Sequence, residues 1–568
     1  MAAYAAALIL LALWFARRAS RSTSDYFAGG RSLPWWAAGT SMIAASFASD
    51  TPLLVTGYVR EKGVWGNWSW WCLGISTVLS TFFFSRLWHR SGVLTETALS
   101  EARYTGPNAA ALRGFKAVFW GLIYASFAAG AGAILGLSKV TGVALGWDKT
   151  SAILLCAVLA AVYVIASGLW GVVATDVFQF VAAVLGSVAT AWFAVRAAGG
   201  LPTVLEAAGS KADLLPSLSV PGDPGGFWQS PLAWLLALLM VQWWAWKNAD
   251  GGGVLVQRMA ACRNEKHAVG ATLWYAVGHN ALRAWPWVLA ALASLILFPD
   301  RNDNEPFDHE ATYGLLVVKV LPAGIRGFVL AWFLAEFMTG VAQFANFGAS
   351  LLVNDGWKRF LKPDATERQT LVAARWASLL VIACAVGTSF LTGSVRQGFE
   401  TILQLTAGIG TVCIARWLWW RVNAMGEIAA IVAAVPTLLL APWVERQLGI
   451  PDKCFPFRLL FMTGNGILVW LIAVLATPPE PMEHLVAFYR KVRPPRWGWG
   501  PVARQAGEVQ AERWGEALLH WLLGTAGLYA LLFGLGWTVL GQGLTALIPL
   551  LAGGGLLGWL AWRIARTP

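Results

Sequence analysis

Apolar runs long enough to cross about 30 Å of hydrocarbon recur along nearly the whole chain, and no other feature constrains its fold so tightly. About fifteen of them fall between residues 2 and 563 of the 568-residue sequence. A soluble chain of this length would divide into several domains. Here 57% of residues are apolar and 13% charged, roughly half the charged share of a soluble protein. In hydrocarbon the backbone can bond only to itself, so the runs are predicted to be helices. The expected class is an all-α polytopic membrane protein. The 35 Trp residues suit a lipid bilayer, because an indole places its ring in the apolar region and its N–H at the wet interface.

The net charge of +12 implies no nucleic-acid partner, since no basic cluster is interleaved with polar groove-reading residues. The charge sits in short loops between apolar runs. With the N-terminus outside and the C-terminus inside, roughly 27 of the 42 basic residues lie on the cytoplasmic side, about twice the outside share. The acidic loop 299–319 then faces outward, and the expected location is the inner or plasma membrane. The first run, 2–16, lacks an Ala-x-Ala exit and is followed by Arg17-Arg18, which predicts a retained helix. The six Cys and six His show no metal-ligand or redox spacing. Residues 478–515 form the one long soluble-looking stretch. Its Leu485-Val-Ala-Phe-Tyr489, followed by Arg490-Lys491-Val-Arg493, reads either as an amphipathic helix on the inner leaflet or as a connector.

Two runs are interrupted in corresponding places. The second run carries Ser46, Ser49, Asp50, Thr51 and Pro52 near its middle. Proline donates no backbone hydrogen bond and disfavours helix at the residue before it. Five helices later comes Trp243-Trp244-Ala-Trp246-Lys247-Asn248-Ala-Asp250-Gly251-Gly252-Gly253. Two interrupted helices, each first in a five-helix block, are what an inverted-repeat transporter needs. Freed carbonyls can hold a cation, and half-helix N-termini can face an anionic group. A structural kink at Pro52 and glycines for close packing form the plainer alternative.

Asp50, Lys247, Asp250, Arg283 and Glu336 fall within or at the edge of spans, and each would cost about 2.5–3.5 kcal/mol to bury on insertion scales unless paired or wet. Lys247 and Asp250 are placed to neutralise each other across one turn. Glu336 has no local basic neighbour. It reads as a functional carboxylate or as a structural acid paired with Arg283 or Lys247.

At these residues the chain resembles the sodium:solute symporter family. Asp25-Tyr-Phe-Ala-Gly-Gly-Arg-Ser-Leu-Pro-Trp-Trp, running on to Ser46, is similar to that family's entry into its first core helix. Val254-Leu-Val-Gln257-Arg258 is similar to the exit from its sixth. Leu334-Ala-Glu336-Phe-Met-Thr339-Gly340, continuing to Asn354-Asp355-Gly-Trp-Lys-Arg-Phe, resembles its eighth. Glu101-Ala-Arg103-Tyr104-Thr-Gly106 and Arg416-Trp-Leu-Trp-Trp-Arg421-Val-Asn423 add to the likeness, which spans roughly residues 20–425. It implies a LeuT-type 5+5 inverted repeat behind one leading helix, with about four C-terminal helices. The divisions would be a leading helix and loop (1–32), a first repeat (33–198), a second repeat (228–420), two further helices (421–477), a cytoplasmic amphipathic linker (478–515) and a C-terminal hairpin (516–568).

Carried over by position, the resemblance implies a sodium site made by the carbonyls of Ala44, Phe47 and Glu336, the Thr339 hydroxyl and the position of Gly340. Hard oxygen ligands suit a group-one cation as they suit other hard cations. This chain departs from the pattern by lacking a second hydroxyl at Gly340 and by placing a carboxylate at Glu336. The carboxylate can supply a ligand or carry a proton. The solute site implied is Ser46, Asp50, Thr51, Trp243, Trp246, Asn248 and Asp250, whose indoles and acids lean toward a cationic or polyhydroxylated small molecule. The function expected is sodium-coupled symport of a small polar organic solute by alternating access. The alternative is a proton-coupled or uncoupled carrier using Glu336. A membrane-embedded enzyme would need catalytic spacing such as His-x-x-x-x-Asp, which is absent, and a transporter-derived sensor would need an output domain.

Overall fold

The computed structural model describes residues 32–46, 49–93, 95–167, 172–218, 226–253, 255–300, 307–509 and 514–566. The leading run 2–16 and Phe47 therefore lie outside the described residues. The described chain is helical and contains no strand, only an isolated bridge from Leu33 to Cys262.

The first broken helix is α1 (Trp35–Ala45) followed by α2 (Thr51–Lys62). Next come α3 (68–91), α4 (Gly106–Leu145), α5 (Lys149–Ser167) and α6 (Val172–Ala197). The second broken helix is α7 (Pro231–Ala245) followed by α8 (Leu255–Ala260). It is succeeded by α9 (Glu265–Leu297), α10 (Ala323–Leu361), α11 (Glu367–Leu391) and α12 (Val395–Leu418). After these stand α13 (Ala424–Gln447), α14 (Phe455–Ala476), the short α15 (Met482–Val492), α16 (Trp514–Val539) and α17 (Gly543–Arg566).

Ten helices among the described residues are long and apolar enough to cross a membrane. The sequence has about fifteen apolar runs. The difference lies in 2–16, in the two interrupted runs, in 67–88, which is broken at Cys72, and in 150–168, whose apolar stretch Lys149–Val162 is shorter.

Both breaks follow from local chemistry. Pro52 sits at the start of α2, and α1 ends at Ser46. In the second, Trp246 turns extended at ψ 151°. Gly251 and Gly253 then take φ of +79° and +70°, a region that glycine enters without the Cβ clash. The two broken helices lie side by side. Arg258 Nε of α8 donates to Ser41 Oγ of α1 at 3.0 Å, and Lys62 Nζ at the end of α2 stands 3.1 Å from the Trp234 ring centroid of α7. The breaks are thus level.

The last carbonyls of the second broken helix rest on α12. A Cβ on Gly410 would come 2.0 Å from the Ala245 oxygen and 2.3 Å from that of Trp246. Gly410→Ala is therefore expected to cost about 1–3 kcal/mol as an overpacked contact. A thermal unfolding curve of the purified protein checks this, and an unchanged midpoint would contradict the close approach.

Within 478–515, α15 turns its apolar face to the protein rather than to lipid. Leu485, Phe488, Tyr489 and Val492 are buried, the Phe488 ring stacks on Trp499 at 5.7 Å, and Trp499 Nε1 donates to the Trp417 oxygen at 2.9 Å. The inner-leaflet expectation fails here because the end of α12 offers this face an aromatic partner. The α16–α17 hairpin packs on α3, with Tyr529 Oη donating to the Trp71 oxygen at 2.8 Å.

Candidate functional site

The break between α1 and α2 meets α9 and α10 at one centre. Ser46 Oγ donates to the Met42 oxygen at 2.9 Å and lies 3.1 Å from Tyr275 Oη of α9. The Ser46 carbonyl, freed by the break, accepts Arg283 Nη1 at 2.7 Å. Arg283 Nη2 is 3.3 Å from His279 Nε2 one turn earlier, and the guanidinium carbon lies 5.8 Å from the ring centroids of both Trp70 and Trp287. Asp50 and Glu336 both act electrostatically on this guanidinium. A buried arginine thus holds one end of the break, with an acid from α10 and one from the break around it. Glu336 is therefore not without a basic neighbour, as the local sequence had suggested.

Of the residues expected to hold sodium, Ala44, Glu336 and Thr339 are buried. Thr339 Oγ1 accepts Gln179 Nε2 of α6 at 3.1 Å, a partner no local motif announced. A Cβ on the neighbouring Gly340 would meet nothing within 4 Å, so that position of α10 borders open space. Asp50 lies against α4, where a Cβ on Gly132 would come 2.6 Å from its Oδ2. Ser49 Oγ is buried without a protein partner among the described residues. Thr51 opens α2.

The second break divides its residues. Lys247 Nζ stands 4.1 Å from the Tyr124 ring centroid and 4.7 Å from that of Trp120, both on α4. It donates to Asn248 Oδ1 at 3.1 Å. Asp250 does not pair with Lys247. The extended turn at Trp246 removes the helical register that would have stacked them, and the Asp250 carboxylate instead accepts Arg416 Nη2 and Trp417 Nε1, each at 2.8 Å. Arg416 also reaches Glu427 at 3.4 Å and Glu96 at 3.6 Å, while Lys116 meets Glu427 at 2.6 Å. Glu96 in turn accepts the Gly253 N–H at 2.9 Å, and Trp88 Nε1 donates to the Asp250 carbonyl at 2.7 Å. This network binds the second break to α3, α4, α12 and α13. Both side-chain bonds go to Asp250 Oδ2, while Oδ1 accepts the Gly252 N–H at 3.0 Å, and the carboxylate is fully buried.

Trp243 also parts from the group. Its Nε1 donates to the Leu239 carbonyl, and its ring lies 5.6 Å from Trp521 of α16, facing the C-terminal hairpin. Trp246 and Asn248 stay at the break, partly buried. Gln242, which the sequence reading passed over, is fully buried, and neither atom of its amide has a partner among the described residues. The available signal was an amide inside an apolar run one turn before the break.

A second set of contacts closes the opposite face. Arg60 of α2 meets Asp300 at 2.5 Å and donates to the carbonyls of Ser294 and Phe298. Glu310 accepts the N–H groups of Val395 and Arg396 at 2.8 Å each, where the positive end of the α12 dipole favours a carboxylate. Arg396 reaches back to Glu61 at 2.9 Å. Ion pairs therefore bridge the bundle on both sides of the level breaks.

The fold has solved counterparts. A structure titled as the substrate-bound outward-open state of a Na+-coupled sialic acid symporter covers 84% of this chain and 97% of its own, with a TM-score of 0.61 at 19% identity. Among curated relatives, a sodium/glucose cotransporter of Vibrio parahaemolyticus is 25% identical over 500 residues, covering 81% of this chain and 87% of the relative. Sodium/myo-inositol cotransporter 2 of Homo sapiens is 24% identical, with 85% and 77% covered. These relatives are transporters, not enzymes. The profile of the Sodium:solute symporter family matches residues 26–433, from the approach to the first broken helix into α13, so the chain belongs to that family.

Proposed function

We propose that this protein is a sodium-coupled symporter of a small polar organic solute, working by alternating access in a plasma or inner membrane. The carrying observation is the pair of level, antiparallel helix breaks closed off on both sides by ion pairs. In this reading α1 to α6 and α7 to α12 are the two inverted repeats of a LeuT-type core. The Arg416 face is cytoplasmic and the Arg60 face external, in keeping with the basic bias of the loops.

Sodium would sit between the first break and α10, held by the carbonyls of Ala44, Phe47 and Glu336 and by the Thr339 hydroxyl, in the space beside Gly340. The solute would lie against Ser46, Asp50, Thr51, Trp246 and Asn248, with Ser49 and Gln242 offering further polar atoms. Asp250 would belong to the cytoplasmic latch. Ion binding drives the change of state only if affinity differs between the two states. Rupture of the Arg60–Asp300 pair and of the Glu310 contacts with α12 would open one side, and rupture of the Arg416 network the other.

Thr339→Ala is expected to weaken sodium activation of solute uptake into proteoliposomes by about tenfold, the loss of one hard oxygen ligand being worth about 1.4 kcal/mol. Activation unchanged in Thr339→Ala would count against this ion site. Uptake driven equally by a proton gradient without sodium would favour the carrier that uses Glu336 for protons.

A further inference from the structure

Lys247 is a buried ammonium, 5% exposed, in the unwound segment of the second broken helix. It has no carboxylate within ion-pair distance among the described residues. Asp250, three residues on, is held by Arg416 and Trp417. What surrounds Lys247 is aromatic: the faces of Tyr124 and Trp120, with one hydrogen bond to Asn248 Oδ1. Ring quadrupoles and a single neutral acceptor offset only part of the loss of water around an ammonium.

Trp120 supplies a second, independent observation. It is 4% exposed, and its indole N–H has no acceptor among the described residues. Indole is donor only, and an ammonium is donor only. A buried ammonium 4.7 Å from this ring's centroid and a buried indole N–H, neither with an anionic partner among the described residues, call for an acceptor that carries negative charge.

Lys247 presents one positive charge with a single neutral acceptor and no carboxylate within ion-pair distance among the described residues, which matches one negative charge on a ligand. We propose that Lys247, with the Trp120 N–H, is the seat of the solute's carboxylate, so that the transported solute is a monocarboxylate. This rests on the symport reading above and narrows its substrate class, against the cationic or polyhydroxylated lean of the sequence.

The test is a thermal-shift titration of the purified full chain with lactate, gluconate and glucuronate, beside inorganic phosphate, glucose and myo-inositol. It is run with either sodium or choline as the sulfate salt. At least one monocarboxylate is expected to stabilise the wild type. Lys247→Met is expected to weaken that binding about thirtyfold, the lower end of what truncating one partner of a buried charge pair removes, with Lys247→Arg retaining part of it. Trp120→Phe removes only the N–H and is expected to weaken binding severalfold, which keeps a reading if Lys247→Met does not fold. Unchanged carboxylate binding in Lys247→Met and Trp120→Phe overturns the proposal, as does a panel in which phosphate or the neutral sugars bind and no monocarboxylate does, or in which nothing binds. A neutral sugar that binds only with sodium would leave symport standing while sinking the carboxylate seat. Carboxylate binding indifferent to sodium would do the reverse.

Discussion

Replacing Arg416 with methionine is expected to remove about 3–5 kcal/mol of stability, the usual cost of stripping one partner from a buried ionic cluster. Arg416 is 1% exposed and faces Asp250, Glu427 and Glu96. Lys116 and Tyr104 hold Glu427 from the far side, but among the described residues no second cation reaches the Asp250 carboxylate. Its loss would leave Asp250 ionised and supported only by the Trp417 N–H and the Gly252 N–H. Thermal unfolding of the full chain in detergent reads the effect. The double variant Asp250→Asn/Arg416→Met should recover part of the loss, since the penalty comes from an uncompensated charge rather than from a missing contact. Equal destabilisation in the single and double variants would refute the electrostatic account. Asp250→Asn alone leaves Arg416 two acids and keeps an oxygen in place, so its cost should be the smaller. Its signature should be functional: faster labelling of a cysteine placed on the Arg416 face, as the latch across α7, α8 and α12 loosens.

That latch also marks the limit of what could be read from the chain alone. Both helix breaks were legible, because proline at 52 and glycines at 251 and 253 act through their own backbone chemistry, and neighbours in sequence decide the outcome. The presence of the long helices was legible for the same reason, since length and hydropathy are local sums, but their ends were not: α10 runs on to Leu361 and α4 begins at Gly106, through polar turns beyond the apolar runs. Pairing is not local. Asp250 and Lys247 stand three apart, and on an unbroken helix they would have met. The very break that their glycines announce turns them to different partners, 166 residues downstream for Asp250 and on α4 for Lys247.

The same reasoning covers the other departures. Trp243 reads as a wall of the central site only while the C-terminal hairpin is unplaced, and α16 takes its ring. The amphipathic α15 carries a face fit for a membrane surface, yet Trp417 and Trp499 stand close enough to bury it. Gln179 and Gln242 carry no motif, and only the packing of α6 on α10 gives the first a partner in Thr339. A polar residue in an apolar run signals that something must satisfy it; the sequence does not say what.

Arg283→Gln is the variant expected to damage both stability and transport most directly at the centre. The guanidinium holds the Ser46 carbonyl at 2.7 Å and lies within electrostatic reach of Asp50 and Glu336. Removing it uncovers a buried charge, so about 3–5 kcal/mol of stability should be lost. It also frees the carbonyl that ends α1 at the break. Glutamine is shorter, and the geometry of the proposed ion site on that side would no longer be fixed, so sodium-driven uptake should fall below detection in proteoliposomes. Adding Glu336→Gln to Arg283→Gln separates the two roles. If Glu336 serves only to balance Arg283, the double variant should regain stability and sodium-driven uptake together. If Glu336 lends its charge to the cation as well, stability should return while sodium activation stays lost, because two amides replace a carboxylate and its positioning partner. The second outcome is expected from the proposed ion site, in which Glu336 stands one turn before Thr339 on α10 and a carboxylate supplies charge that an amide does not. An Arg283→Gln protein that keeps its unfolding midpoint and its sodium response would show that the guanidinium organises neither the break nor the site.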